Sequence, residues 1–151
     1  MNSPITHPLP PHMTLHRFMR TYAGTSFVAH LMWELAQMPL FTLWQEGSVA
    51  TILYATIHCT IGDVVIALSA LLGAVLVIGN AEWPRERYAA VAIAAVGLGL
   101  AYTAYSEWLN VYVRKSWAYA DAMPLLFGLG LSPLLQWLII PPILFAMLRR
   151  S

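Results

Sequence analysis

Apolar runs long enough to cross a lipid bilayer recur four times along this chain, and no other feature limits its fold so tightly. A helix needs about 20 residues, at about 1.5 Å of rise each, to traverse a hydrocarbon core. The expected spans are residues 22–44, 49–78, 88–113 and 123–148. Charged residues make up 10% of the chain and mean hydropathy is +0.64, whereas soluble domains carry about a quarter charged residues. The sequence therefore predicts an all-α, polytopic membrane protein, folded as one four-helix transmembrane bundle over residues 22–151. Residues 1–21, with four prolines and the histidines His7, His12 and His16, read as a mobile cytoplasmic tail.

Orientation follows from the basic residues. Arg17 and Arg20 precede the first run, Arg85 and Arg87 follow the second, and Arg149 and Arg150 follow the fourth; Arg114 and Lys115 lie on the other side. The positive-inside rule then puts both termini and the 79–87 connection in the cytoplasm. The aromatic residues Tyr22, Trp44, Trp83, Tyr88, Tyr112, Trp117 and Tyr119 mark the span ends, where amphipathic rings meet headgroups. The first run contains His30 and Glu34 and lacks the uninterrupted apolar core of a cleavable signal, so it reads as a retained span. The expected location is a bacterial-type inner (plasma) membrane, with the lipid bilayer as the first partner. A formal net charge of +1 and scattered basic pairs argue against nucleic acid. The lone Cys59 excludes an internal disulfide.

Helix contacts are foreshadowed by small-xxx-small pairs: Ala90 with Ala94, Ala95 with Gly99, and Ser69 with Gly73. The fourth run contains Gly128, Gly130, Pro133, Pro141 and Pro142, which predicts a kinked or broken helix.

The polar residues inside these runs carry the functional question. His30, Glu34, Gln37 and Phe41 share one helical stripe, as do Thr56, Cys59, Thr60 and Asp63 in the second run and Thr103, Glu107, Asn110 and Arg114 in the third. Gln136 lies one turn beyond Ser132. His58 is about 140° from Asp63 around its helix, at 100° per residue. Ionisable groups near the bilayer midplane cost about 2.5–3.5 kcal/mol on insertion scales, so two carboxyls there point to function. The plainer alternative is an intramembrane hydrogen bond that fixes packing, commonly worth about 0.6 kcal/mol.

The favoured expectation is an outward-facing His and carboxylate pocket that binds a metal ion or a protonatable small ligand and serves transport. His30, Glu34, His58 and Asp63 are the candidate ligands, because imidazole and carboxylate together suit a mixed nitrogen and oxygen site. Gln37, Cys59, Glu107, Asn110 and Gln136 complete the expected wall. The cofactor, if one is bound, would be a transition metal; haem through His30 and His58 ranks below it, since no attachment motif is present. Two other classes stay open. An intramembrane enzyme acting on a lipid or isoprenoid would use the histidine and carboxylates as acid and base, although no nucleophile motif supports it. An accessory subunit would pack into a homodimer or a larger membrane complex.

Overall fold

The computed structural model of the chain describes residues 14–150. These fold as α1 (Leu15–Gln37), a single 3₁₀ turn (Met38–Leu40), α2 (Leu43–Glu46), α3 (Val49–Ile78), α4 (Tyr88–Trp108) with a π-helical extension (Leu109–Val113), a hairpin of β1 (Leu125–Leu126) and β2 (Leu129–Gly130), and α5 (Leu131–Leu148). The long helices form a ring of neighbours: α1 packs on α3 and α5, and α4 packs on the same two. Three of them are long and apolar enough to cross a membrane, namely Val49–Ile78, Tyr88–Val113 and Leu131–Leu148. The helix carrying His30 and Glu34 is not one of these.

The first helix begins and ends earlier than the hydropathy predicts. Thr14 caps it, its side chain accepting from the Arg17 N–H at 3.2 Å, so residues 15–21 are helical. At the other end Pro39 has no N–H to continue the ladder, and the chain tightens into the 3₁₀ turn after Gln37. His16 is exposed on this helix, while His7 and His12 lie outside the described residues. Ser48 caps α3 in the same manner as Thr14 caps α1, accepting from Thr51 N–H at 3.2 Å. The fourth helix starts eight residues later than expected, because residues 125–130 pair as strands across a tight turn at Phe127 and Gly128, both with positive φ. Pro133 falls in the first turn of α5, where a missing N–H costs little. Pro141 and Pro142 lie inside α5 and the helix continues through them, so the expected break is absent.

The two ends of the bundle differ in what fills them. One end gathers the start of α1, the 79–87 connection, the start of α4 and the end of α5. There the core is aromatic: Phe18 meets Trp83 edge-on at 5.0 Å between centroids, and Tyr22 meets Phe145 at 5.2 Å. Tyr88 joins them and donates to the Phe145 carbonyl at 2.6 Å, tying α4 to α5. The opposite end is closed by the 114–130 segment, whose Tyr119 bridges to Phe41. Backbone bonds from Thr42 N–H to the Ala118 carbonyl, at 3.0 Å, and from Ala120 N–H to the Leu40 carbonyl, at 2.9 Å, strap it down. Between the two ends the core is polar.

Candidate functional site

The polar layer is built from facing stripes of α1, α3 and α5. His30, Glu34 and Gln37 are buried along the inner face of α1, at 0%, 4% and 5% exposure. Met32 and Leu35 point the other way and are exposed. Gln136 of α5, 2% exposed, stands between them and Asp63 of α3. Its amide nitrogen lies 2.7 Å from His30 Nδ1, 2.7 Å from Asp63 Oδ2 and 3.4 Å from Glu34 Oε1. Glu34 also accepts from the Gln37 amide at 2.7 Å, and Ser132 donates to the Gln37 carbonyl oxygen at 2.8 Å.

With the Gln136 amide nitrogen turned toward it, His30 accepts at Nδ1. An amide nitrogen can only donate, so Nδ1 must present its lone pair, and the ring proton of a neutral imidazole then sits on Nε2. The opposite amide orientation would require protons on both His30 Nδ1 and Asp63 Oδ2. His30 Nδ1 also approaches Asp63 Oδ2 to 3.5 Å across that shared donor. His30 Nε2 is buried without a hydrogen-bond partner among the described residues, and the Trp137 ring packs nearby at 5.6 Å between centroids. Trp137 in turn fills a notch in α4: a Cβ on Gly99 would stand only 2.0 Å from the indole ring.

The polar layer extends toward the 114–130 end through Glu107, 7% exposed on the inner face of α4. Tyr119 donates its phenol to Glu107 Oε2 at 2.5 Å, and Trp117 stands beside the same carboxyl. Burial, reinforced by that hydrogen bond, pushes the Tyr119 phenol above its ordinary value. The Tyr119 ring packs on Gly130, where a Cβ would approach it to 2.8 Å. On its other side Tyr119 borders a depression of about 290 Å³, shared with Thr42, Gln45 and Asp121. Cys59 lies within electrostatic reach of Glu34, Asp63 and Glu107 together. Thr56 and Thr60 face the layer too, but each hydroxyl bonds back to its own helix, at 2.9 Å and 2.8 Å.

Of the four expected metal ligands, His30, Glu34 and Asp63 converge and His58 does not. His58 is exposed on the far side of α3, its ring stacked on Tyr54 at 5.6 Å, as the angular offset from Asp63 requires. Among the described residues no three His, Cys, Asp or Glu side chains are grouped so as to hold a metal ion. His58 thus stands apart from His30, Glu34 and Asp63, which gather around the Gln136 amide, and His30 and His58 do not face a common space as a haem would need. Asn110 is also displaced from the expected wall, since its amide bonds to the Ser106 carbonyl and hydroxyl on its own helix at 2.9 Å and 3.2 Å. Ser132 and Tyr119 were not among the expected wall residues. Ser132 precedes Gln136 by one turn, which signals a shared face; Tyr119 has the composition of any interfacial aromatic.

Comparison with protein-family models, curated proteins and solved structures finds no match.

Proposed function

We propose that this chain is an integral membrane protein of four spans with both termini cytoplasmic, in a bacterial-type inner membrane. In this reading its His30–Glu34–Asp63–Gln136 cluster binds and exchanges a proton, or a small protonated ligand, with the side bearing residues 114–130. The observation that carries the reading is the Gln136 amide, held between an imidazole and two carboxyls with no lysine or arginine in the cluster. A low-dielectric interior tolerates such a group only when its charge is balanced. With no fixed cation, balance comes from protons on the carboxyls or from a cation that replaces them. Glu107, within electrostatic reach of Asp63, and Tyr119, which bonds to Glu107 and lines the outer depression, are the natural relay for either. Binding and transport are favoured over catalysis because the cluster contains acids and an imidazole and no activated nucleophile.

Infrared difference spectra of the purified protein between acidic and alkaline buffer test this. Carboxyl bands that change in the wild type and disappear in Glu34→Gln and Asp63→Asn are expected. Identical difference spectra in all three proteins would sink the proposal.

His58 favours a second reading alongside the first. An imidazole on the outer face of a membrane-spanning helix seeks a polar partner, which a second copy or another subunit would supply. A shift in oligomer mass on His58→Leu, measured in detergent, would support it.

A further inference from the structure

A groove of about 350 Å³ runs between α4 and α5 at the end of the bundle that holds the helix termini Leu15 and Leu148. Ala92, Val96, Pro142 and Ala146 form its walls, and Tyr88 and Arg149 stand at its mouth. We infer that this groove binds one acyl chain of an anionic phospholipid, with the lipid phosphate on the Arg149 guanidinium. The inference rests on the membrane reading of the chain and is independent of proton exchange at the polar cluster.

Shape and charge both point to this occupant. Ala89, Ala92 and Ala146 keep its floor shallow, and Ile93 and Phe145 add apolar surface along its sides. The Tyr88 bond to the Phe145 carbonyl fixes the two helices beside it. From Pro142 to Arg149 is two turns of helix, about 10.5 Å at 1.5 Å per residue, enough for a stretch of extended hydrocarbon below a headgroup. Arg149 is exposed and its guanidinium sits over the Tyr88 ring, 5.9 Å from the centroid, which holds the charge at the mouth of the groove. Among the described residues no acidic side chain pairs with it. The acids at this end are engaged elsewhere: Glu82 lies 3.6 Å from Arg85, and Glu86 accepts from Asn80 at 2.8 Å. Arg150 and Arg87 add to the positive field. An apolar slot ending in a cation with no acidic partner among the described residues matches a lipid with a tail and a net negative head. A zwitterionic lipid brings its own cation and loses part of that attraction.

The test is native mass spectrometry of the full chain, released from vesicles of equal parts phosphatidylglycerol and phosphatidylcholine. The wild type is expected to retain one phosphatidylglycerol, with about a five-fold preference over phosphatidylcholine, the equivalent of one arginine at the surface. Arg149→Gln should abolish the preference and Arg149→Lys should restore most of it. Ala146→Phe, which fills the slot, should remove the retained lipid of either class; Ala92→Phe blocks it from α4 and gives the same readout if the first variant misfolds. No retained lipid in the wild type would overturn the inference, as would an unchanged preference in Arg149→Gln. Loss of a dimer, rather than of lipid, in the groove-filling variants would overturn it in favour of a second copy.

Discussion

Gln136 offers two amide hydrogens to three acceptors, and this shortage defines the cluster. The two short contacts, to His30 and Asp63, take both hydrogens, leaving Glu34 at 3.4 Å to rely on Gln37. Removing the amide leaves buried acceptors facing one another with nothing between them, and an unsatisfied buried polar group costs about 1–3 kcal/mol. Gln136→Ala is therefore expected to lose stability in that range in detergent unfolding measurements. Gln136→Glu, which keeps the shape but replaces the donor with a third acid, should lose more at neutral pH than in acid. Tyr119 sets a different dependence. Its folded phenol holds the proton above the ordinary value of 10.0, so the unfolded chain releases that proton first. Its contribution is full below that value and declines as pH rises beyond it toward the folded value. Alkaline unfolding curves of wild type and Tyr119→Phe should converge in slope below pH 10.0 and separate above it, the wild type falling more steeply.

At the scale of elements, two close approaches decide how α4, α5 and the hairpin sit. Gly99 admits the Trp137 indole into the surface of α4, and a Cβ there would overlap the ring. Gly99→Ala should cost about 1–3 kcal/mol, the usual penalty for overpacking. It should also shift Trp137 away from His30, visible as a change in the fluorescence difference between Trp137-containing proteins and their Trp137→Phe counterparts. The hairpin carries the opposite kind of defect. Phe127 is 98% exposed and adopts φ 52°, a left-handed conformation that costs a bulky residue about 1–2 kcal/mol. Gly128 follows it at φ 83°, so Phe127→Asn would create the Asn-Gly pair that such turns favour. A gain of about 1 kcal/mol in unfolding measurements is expected. These elements were unequally legible. α3 and α4 are predominantly apolar runs between polar connections, and hydropathy alone places them. The hairpin is not legible that way, because Leu125, Leu126, Phe127 and Leu129 are as apolar as the helix that follows and too few to establish an alternating pattern. In the site, Gln136 and the α1 stripe follow from helical spacing. The exclusion of His58 follows from the same spacing. Tyr119 required the fold, since only the return of the 114–130 segment across the bundle end brings it to Glu107.

At the scale of the whole molecule, α1 is the helix whose position must be explained. Its composition falls short of a membrane-crossing helix, yet Val28, Met32 and Leu35 are exposed on its outer surface while Ser26, His30, Glu34 and Gln37 are buried. The polar residues that lower its hydropathy are thus spent on α3 and α5, and the face left for lipid is apolar. Such a helix is poor at entering a bilayer alone and well suited to it once its partners are present, because Gln136, itself held by Asp63, and Ser132 supply the bonds that hydrocarbon cannot. The topology proposed above is four crossings, with both termini on the side of Arg85, Arg87, Arg149 and Arg150. A fluorescent reporter that matures only in the cytoplasm should therefore glow when fused at either terminus. A cysteine placed at Asp121 in a Cys59→Ser background should react with an impermeant thiol reagent added outside whole cells. If α1 instead lay along the surface, the two termini would report opposite sides. The dependence on partners gives a sharper result: replacing both Asp63 and Gln136 with leucine should leave the C-terminal reporter cytoplasmic while shifting a fraction of N-terminal reporters to the outside. Full retention of the N-terminus inside would mean that α1 inserts on its own apolar face, and that its polar stripe is a burden carried for function rather than for assembly.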